Sequence, residues 1–179
     1  MVDRVRFSHR ELSLNDIAIH HLNVEAALFE FFAGSSQALL ERYADTKRSD
    51  ARDRSLAELD FSSSLSVLSS TEAAIRIDYL RRVYGRWRDP LSRAMKSLYR
   101  AKEEKARLEG ELLRLWGDHA AIPIGLVSAM SGAFKYRHWL AHGRYWMPKF
   151  GRQYDYHTVY GIAQQFTEEM DHYNAAHSH

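Results

Sequence analysis

The chain reads as an all-α protein, a bundle of four or five helices in one domain, on three observations. Apolar residues recur at three- and four-residue spacing through several long segments, and Gly, Pro and charge-rich stretches separate those segments. No pair of alternating apolar and polar runs argues for strands, and there is no internal repeat or low-complexity tract. With 179 residues, of which 45% are hydrophobic, the chain is long enough for one well-buried core and too short for two, so residues 1–179 are read as a single domain.

The first helix is predicted to begin with Asn15 or Asp16 as N-cap, before Ile17, Ile19, Leu22, Val24, Leu28, Phe31 and Phe32. Gly34, Ser35 and Ser36 interrupt it ahead of another turn or two through Leu39, Leu40 and Tyr43. The stretch 45–55, DTKRSDARDRS, has no large apolar residue and fits a solvated connection or an exposed helix end. A long helix is predicted over 56–84, with Phe61, Leu65, Leu68, Ile75, Tyr79 and Val83 in one stripe and Glu72 at its centre.

Beyond Gly85 and the turn-like residues 88–90, a third helix is predicted over 91–116. Its charged face favours pairing three and four residues apart, and its inner side carries Leu91, Met95, Leu98, Leu108, Leu112 and Leu115. Residues 117–123 break the pattern. The fourth helix, over 124–142, gathers Leu126, Met130, Ala133, Phe134, Leu140 and Ala141 into one apolar sector with Arg137 in its middle. His138 and His142 lie at the edge of that sector, beside a polar side carrying Ser128, Ser131 and Lys135, and Gly143 ends the helix. An ordered aromatic and basic loop and a last helix over 158–173 complete the chain.

Composition narrows the classes. Lys and Arg number 25 against 23 Asp and Glu, a formal charge of +2, so any anionic partner must be held by a local cluster. The absence of cysteine excludes a disulfide scaffold and any thiolate metal site. The first 16 residues carry charges where a signal peptide needs an apolar region, and no apolar run approaches the roughly 20 residues of a membrane span. A soluble, cytoplasmic protein with no membrane partner is the expectation.

Two charged residues stand out because each lies within an apolar stripe. A guanidinium there cannot shed its proton and a carboxylate is costly to bury alone, so Arg137 and Glu72 are predicted to face each other. His138 and His142 have the spacing of a shared zinc ligand pair. Trp139 stands where such a motif needs glutamate, and no cysteine or acidic residue nearby offers a third ligand, so no metal or cofactor is expected. His20, His21, His119, His157 and the C-terminal histidines are scattered and are read as surface residues. Arg144, Tyr145, Trp146 and Lys149 combine cations with aromatics, a mix that holds phosphates and stacks bases. Tyr145 and Trp146 fit equally a loop that seals the bundle end, and packing is the role favoured for them.

The segment RHWLAH, 137–142, matches the R-x4-H pattern of the HEPN superfamily of small α-helical domains, and YRHWLAHGRYW resembles its RiboL-PSP-HEPN group. The resemblance covers roughly residues 60 to 175, and Glu72 supplies the glutamate found on an earlier helix in many members. It implies a metal-independent endoribonuclease. In that chemistry His142 is the general acid/base, Arg137 holds the non-bridging phosphate oxygens, Glu72 orients the guanidinium and His138 contacts substrate or supports the site. Arg144, Lys149, Tyr145 and Trp146 are the candidate RNA-binding residues. The resemblance further implies a homodimer whose two copies line one cleft, and products with 2′,3′-cyclic phosphate and 5′-hydroxyl ends. The setting would be a toxin with a protein antitoxin, or antiviral defence. The alternative from a different class is a non-catalytic module that binds nucleotide or a partner protein.

Overall fold

The structure, a computed structural model, describes residues 5–177; residues 1–4 and 178–179, and with them the C-terminal His179, lie outside that range. The first helix, α1 (Leu14–Ala33), begins ahead of the predicted cap because Ser13, rather than Asn15 or Asp16, is its N-cap. Ser13 Oγ accepts the Asp16 amide at 3.0 Å while the Asp16 carboxylate accepts the Ser13 amide at 3.3 Å, a reciprocal capping box. Gly34 ends α1, and Ser36 caps the short α2 (Gln37–Arg42). Of the charge-rich stretch 45–55, all but the first three residues join the next helix as its exposed end.

That helix, α3 (Arg48–Tyr84), has 37 residues and is about 55 Å long by helical rise. It packs against α1 and against three later helices: α4 (Pro90–Lys102), α6 (Ile124–Ala141) and α7 (Tyr156–His177). Val67, Leu68 and Ile75 are fully buried at these crossings, and Ser63, Ser64 and Thr71 are buried with them, so small polar residues allow close approach on the same helix. Phe32, Leu39 and Ala51 form a separate small cluster that pins α2.

The helix predicted over 91–116 is broken. After α4 come a 3₁₀ turn, Glu103–Lys105, a five-residue π turn, Leu108–Leu112, and α5 (Leu113–His119). Glu103 takes a φ of +51°, and the carbonyls released by the break are satisfied from α3: Tyr79 donates its hydroxyl to Glu103 O at 3.0 Å and Arg76 donates Nη1 to Ala106 O at 3.2 Å. The extended backbone at Ala106 and Arg107 ends the phase of α4, so α5 sets its inner face anew. Leu113 and Trp116 therefore enter the core, whereas Leu115, predicted to point inward, is only partly buried. The break and the separate α2 raise the count to seven α-helices among the described residues. The all-α class stands, with no strand among those residues and no helix long and apolar enough to cross a membrane.

His21 departs from the surface role predicted for it. Its ring is 2% exposed, stacks on Tyr156 at 3.7 Å, and sets Nδ1 2.9 Å from Ser63 Oγ. Burial lowers its pKa from the ordinary histidine value, more strongly than the nearby Asp60 and Glu25 raise it; His157 and His20 add to the lowering. A base whose folded pKa is depressed contributes stability that is full above its unfolded pKa, about 6.5, and is lost as pH falls below it, because the unfolded chain takes up the proton first. The loss of urea stability between pH 7 and pH 5 is expected to be smaller in a His21→Asn protein than in wild type. Equal losses would show that His21 is not the sensor.

Candidate functional site

The end of α6 is set by a left-handed turn. Gly143 has a φ of +76°, its amide is donated to Leu140 O at 3.2 Å, and the Arg144 amide to Trp139 O at 3.1 Å, the paired bonds of a Schellman C-cap. A side chain at 143 would be strained by that φ. His142 is thereby held as the C-cap of the helix, with its amide donated to His138 O. The rings of His138 and His142 lie 4.3 Å apart, both on exposed residues, and the Trp146 ring stands 6.0 Å from His138.

Arg137 and Glu72 do face each other: Arg137 Nη1 is 3.0 Å from Glu72 Oε2. Their surroundings are less dry than the stripe argument required, since the side chains are 34% and 18% exposed. The pair sits where α3 and α6 meet, with about a third of the Arg137 side chain accessible to solvent. The other carboxylate oxygen, Glu72 Oε1, accepts Arg76 Nε at 2.7 Å, and Arg76 in turn holds the chain break at Ala106. Arg137 Nε also approaches Ser69 Oγ at 3.5 Å. Glu72 is thus clamped between two guanidiniums, those of Arg76 and Arg137. Arg76 was readable in the sequence, four residues beyond Glu72 on one helix face.

The loop 143–155 separates its four candidate residues. Arg144, at φ +58°, is docked on α3: its guanidinium makes two hydrogen bonds to Glu58, at 2.8 and 3.1 Å, and lies 4.4 Å from the Phe61 ring centre. It anchors the loop. Tyr145 is 82% exposed, contrary to the packing role favoured for it, because Arg144 and Trp146 on either side of it are the residues that hold the chain to the bundle. Trp146 is partly buried, and its carbonyl accepts Trp139 Nε1 at 2.8 Å. Lys149 is exposed and has no ion-pair partner among the described residues. Tyr136, Trp139, Phe150 and Tyr154 pack ring against ring, with Tyr136 stacked on Tyr154 at 5.2 Å, and this cluster orders the loop against α6. Burial pushes the Tyr136 hydroxyl up to about 12, so it stays protonated.

The most deeply buried cation lies elsewhere. Arg82 is 0% exposed, with Nε 2.7 Å from Asp78, Nη1 3.1 Å from Asp89 and 2.8 Å from Ser92 Oγ, and Nη2 bonded to Asn174. Trp87, Trp116 and Tyr173 surround it. Sequence reasoning passed over it, although Ile75, Asp78, Tyr79 and Arg82 continue one helical stripe. Among the described residues, no group of three or more His, Asp or Glu side chains is arranged to hold a metal ion. No family model, curated protein or solved structure matches the chain.

Proposed function

We propose that this protein is a metal-independent endoribonuclease of HEPN type, with Arg137 and His142 from two copies of the chain lining one cleft. The observation that carries the reading is the Arg137 side chain, 34% exposed and paired with Glu72 at 3.0 Å, just before an exposed pair of histidines at the helix end. His142 takes the proton of a ribose 2′-hydroxyl, whose oxygen attacks the adjacent phosphorus. The bond to the 5′-oxygen breaks, and that oxygen receives a proton, leaving 2′,3′-cyclic phosphate and 5′-hydroxyl ends. Arg137 forms two parallel hydrogen bonds to the non-bridging oxygens as their charge grows, and Glu72 keeps its plane fixed. His138, beside His142, contacts substrate or carries the second proton. A toxin or defence effector controlled by a protein antitoxin is the setting in which such an activity fits.

Incubated with mixed cellular RNA in excess chelator, the pure protein is expected to cut and to leave those ends. Light scattering at micromolar concentration is expected to give a dimer with α6 at its interface. Activity that chelator removes, or a strictly monomeric active protein, overturns the mechanism. Failure to cut any RNA, together with binding of nucleotide or a protein at α6, would establish the interaction-module alternative instead.

A further inference from the structure

A cleft of about 700 Å³ runs along the polar side of α6, between α5 and the returning loop. Its floor is Ser128, Ser131, Gly132 and Lys135, and its far wall carries Lys149, Phe150, Arg152 and Tyr154. A second hollow of about 430 Å³ continues it past Trp146 to His138, sharing Glu109, Lys135, Lys149 and Phe150 with the first. The two are one groove that opens at the histidine edge. Gly132 makes room for it: a Cβ there would overlap the Tyr154 hydroxyl, so glycine lets that ring lie across α6.

The charges in the groove do not cancel. Arg114 is paired with Asp118 at 3.3 Å, which neutralises one cation and one anion. Lys135, Lys149 and Arg152 then have no ion-pair partner among the described residues and face only Glu109. Arg152 lies 5.6 Å from the Tyr154 ring centre, so its guanidinium is displayed over an aromatic face. Unpaired cations spaced along a trough, interleaved with Trp146 and Phe150, match a phosphate backbone on one side and exposed bases on the other. Stacking on side-chain rings needs bases that are not already stacked in a duplex.

We infer that this groove, between α5, α6 and the loop 143–155, binds single-stranded RNA and leads it to His138 and His142. The inference rests on the nuclease reading for its direction, and deepens it by naming the strand state of the substrate and the residues that track it. Lys135, His138 and His142 succeed one another along one face of α6, so a strand held at Lys135 reaches the histidines within two helical turns.

The test uses the full chain, in chelator, and a short fluorescent 2′-O-methyl oligoribonucleotide, which lacks the attacking hydroxyl and is not cut. Three neutralised phosphates imply a log–log salt slope of about −2, so affinity is expected to fall about 20-fold between about 50 and 200 mM salt. Lys135→Ala, Lys149→Ala and Arg152→Ala are each expected to flatten that slope by about 0.7. A duplex of the same sequence is expected to bind at least about 10-fold more weakly. Slopes unchanged in all three variants, equal affinity for duplex, or no binding of the strand overturns the groove. An acidic protein bound through the same three cations while the oligonucleotide is ignored overturns it too. The nuclease reading fails separately: wild type that binds as described but cuts no RNA loses the chemistry and keeps the groove, and wild type that cuts while the variants bind unchanged loses only the groove.

Discussion

Arg82→Ala protein is expected to lose about 3–5 kcal/mol of folding stability, the usual cost of removing one partner from a buried ionic network. The side chain is 0% exposed, and its guanidinium links α3 to the Asp89 cap of α4 and to Asn174 on α7. Without it, Asp78 and Asp89 are left facing each other with no cation. Burial already raises the Asp78 carboxyl above its ordinary value, with Arg82 pulling the other way. At Asp89, burial also pushes upward, but hydrogen bonds from Ser92 and Tyr173 and the charge of Arg82 outweigh it and hold the carboxyl low. Arg82→Lys is expected to be impaired as well, because one ammonium cannot reach Asp78, Asp89 and Asn174 together. Urea unfolding followed by tryptophan fluorescence measures both variants, since Trp87 and Trp116 flank the guanidinium at 4.5 and 5.3 Å. A loss below about 1 kcal/mol would mean that water replaces the guanidinium.

His142→Ala is expected to lower RNA cleavage by about 10²–10⁴-fold, the range for removing a general acid/base, with a fold as stable as wild type because the residue is exposed at a helix end. Arg137→Lys is expected to lose about 10²–10³-fold despite keeping its charge, since an ammonium supplies no planar pair of donors to the phosphate oxygens. Glu72→Gln is expected to weaken cleavage more than folding. Its ion pairs with Arg76 and Arg137 are partly exposed to solvent, where such pairs contribute about 0–1 kcal/mol. The same exposure means that Glu72→Leu leaves both guanidiniums in water rather than stranded, so the fold is expected to tolerate it. Single-turnover cleavage alongside urea midpoints separates the two effects. A His142→Ala protein that cuts as fast as wild type removes His142 from the mechanism, and a Glu72→Gln protein that unfolds makes Glu72 a structural residue.

The contrast between Arg137 and Arg82 marks where sequence reasoning reaches its limit. Projecting α6 set Arg137 in an apolar sector and matched it to Glu72, and the two meet. The projection could not tell that they meet partly exposed to solvent, because the angle around an axis says nothing about how far the neighbouring helix covers that face. On α3 the same projection passed through Ile75 and Tyr79 toward Arg82, but a carboxylate partner at Asp89 and an amide at Asn174 lie outside that helix. Arg144 and Tyr145 are neighbours in sequence, yet one docks against Phe61 and the other is exposed.

By itself the sequence determined the helical class, the stops at Gly34 and Gly143, the period of α3 and the approach of Glu72 to Arg137. These rest on spacing, cap chemistry and the conformational freedom of glycine, which act within a few residues. Only the tertiary structure decided that residues 91–116 break, that His21 and Arg82 are buried, and that a cationic groove lies beside the histidines. Gly110 apart, the segment RAKEEKARLEGELLR favours a helix locally, with charges paired three and four residues apart. It breaks because Tyr79 and Arg76, on another helix, donate to the carbonyls that the break sets free, and because α5 can then turn back to pack on α4 and α6 where one straight rod would run past.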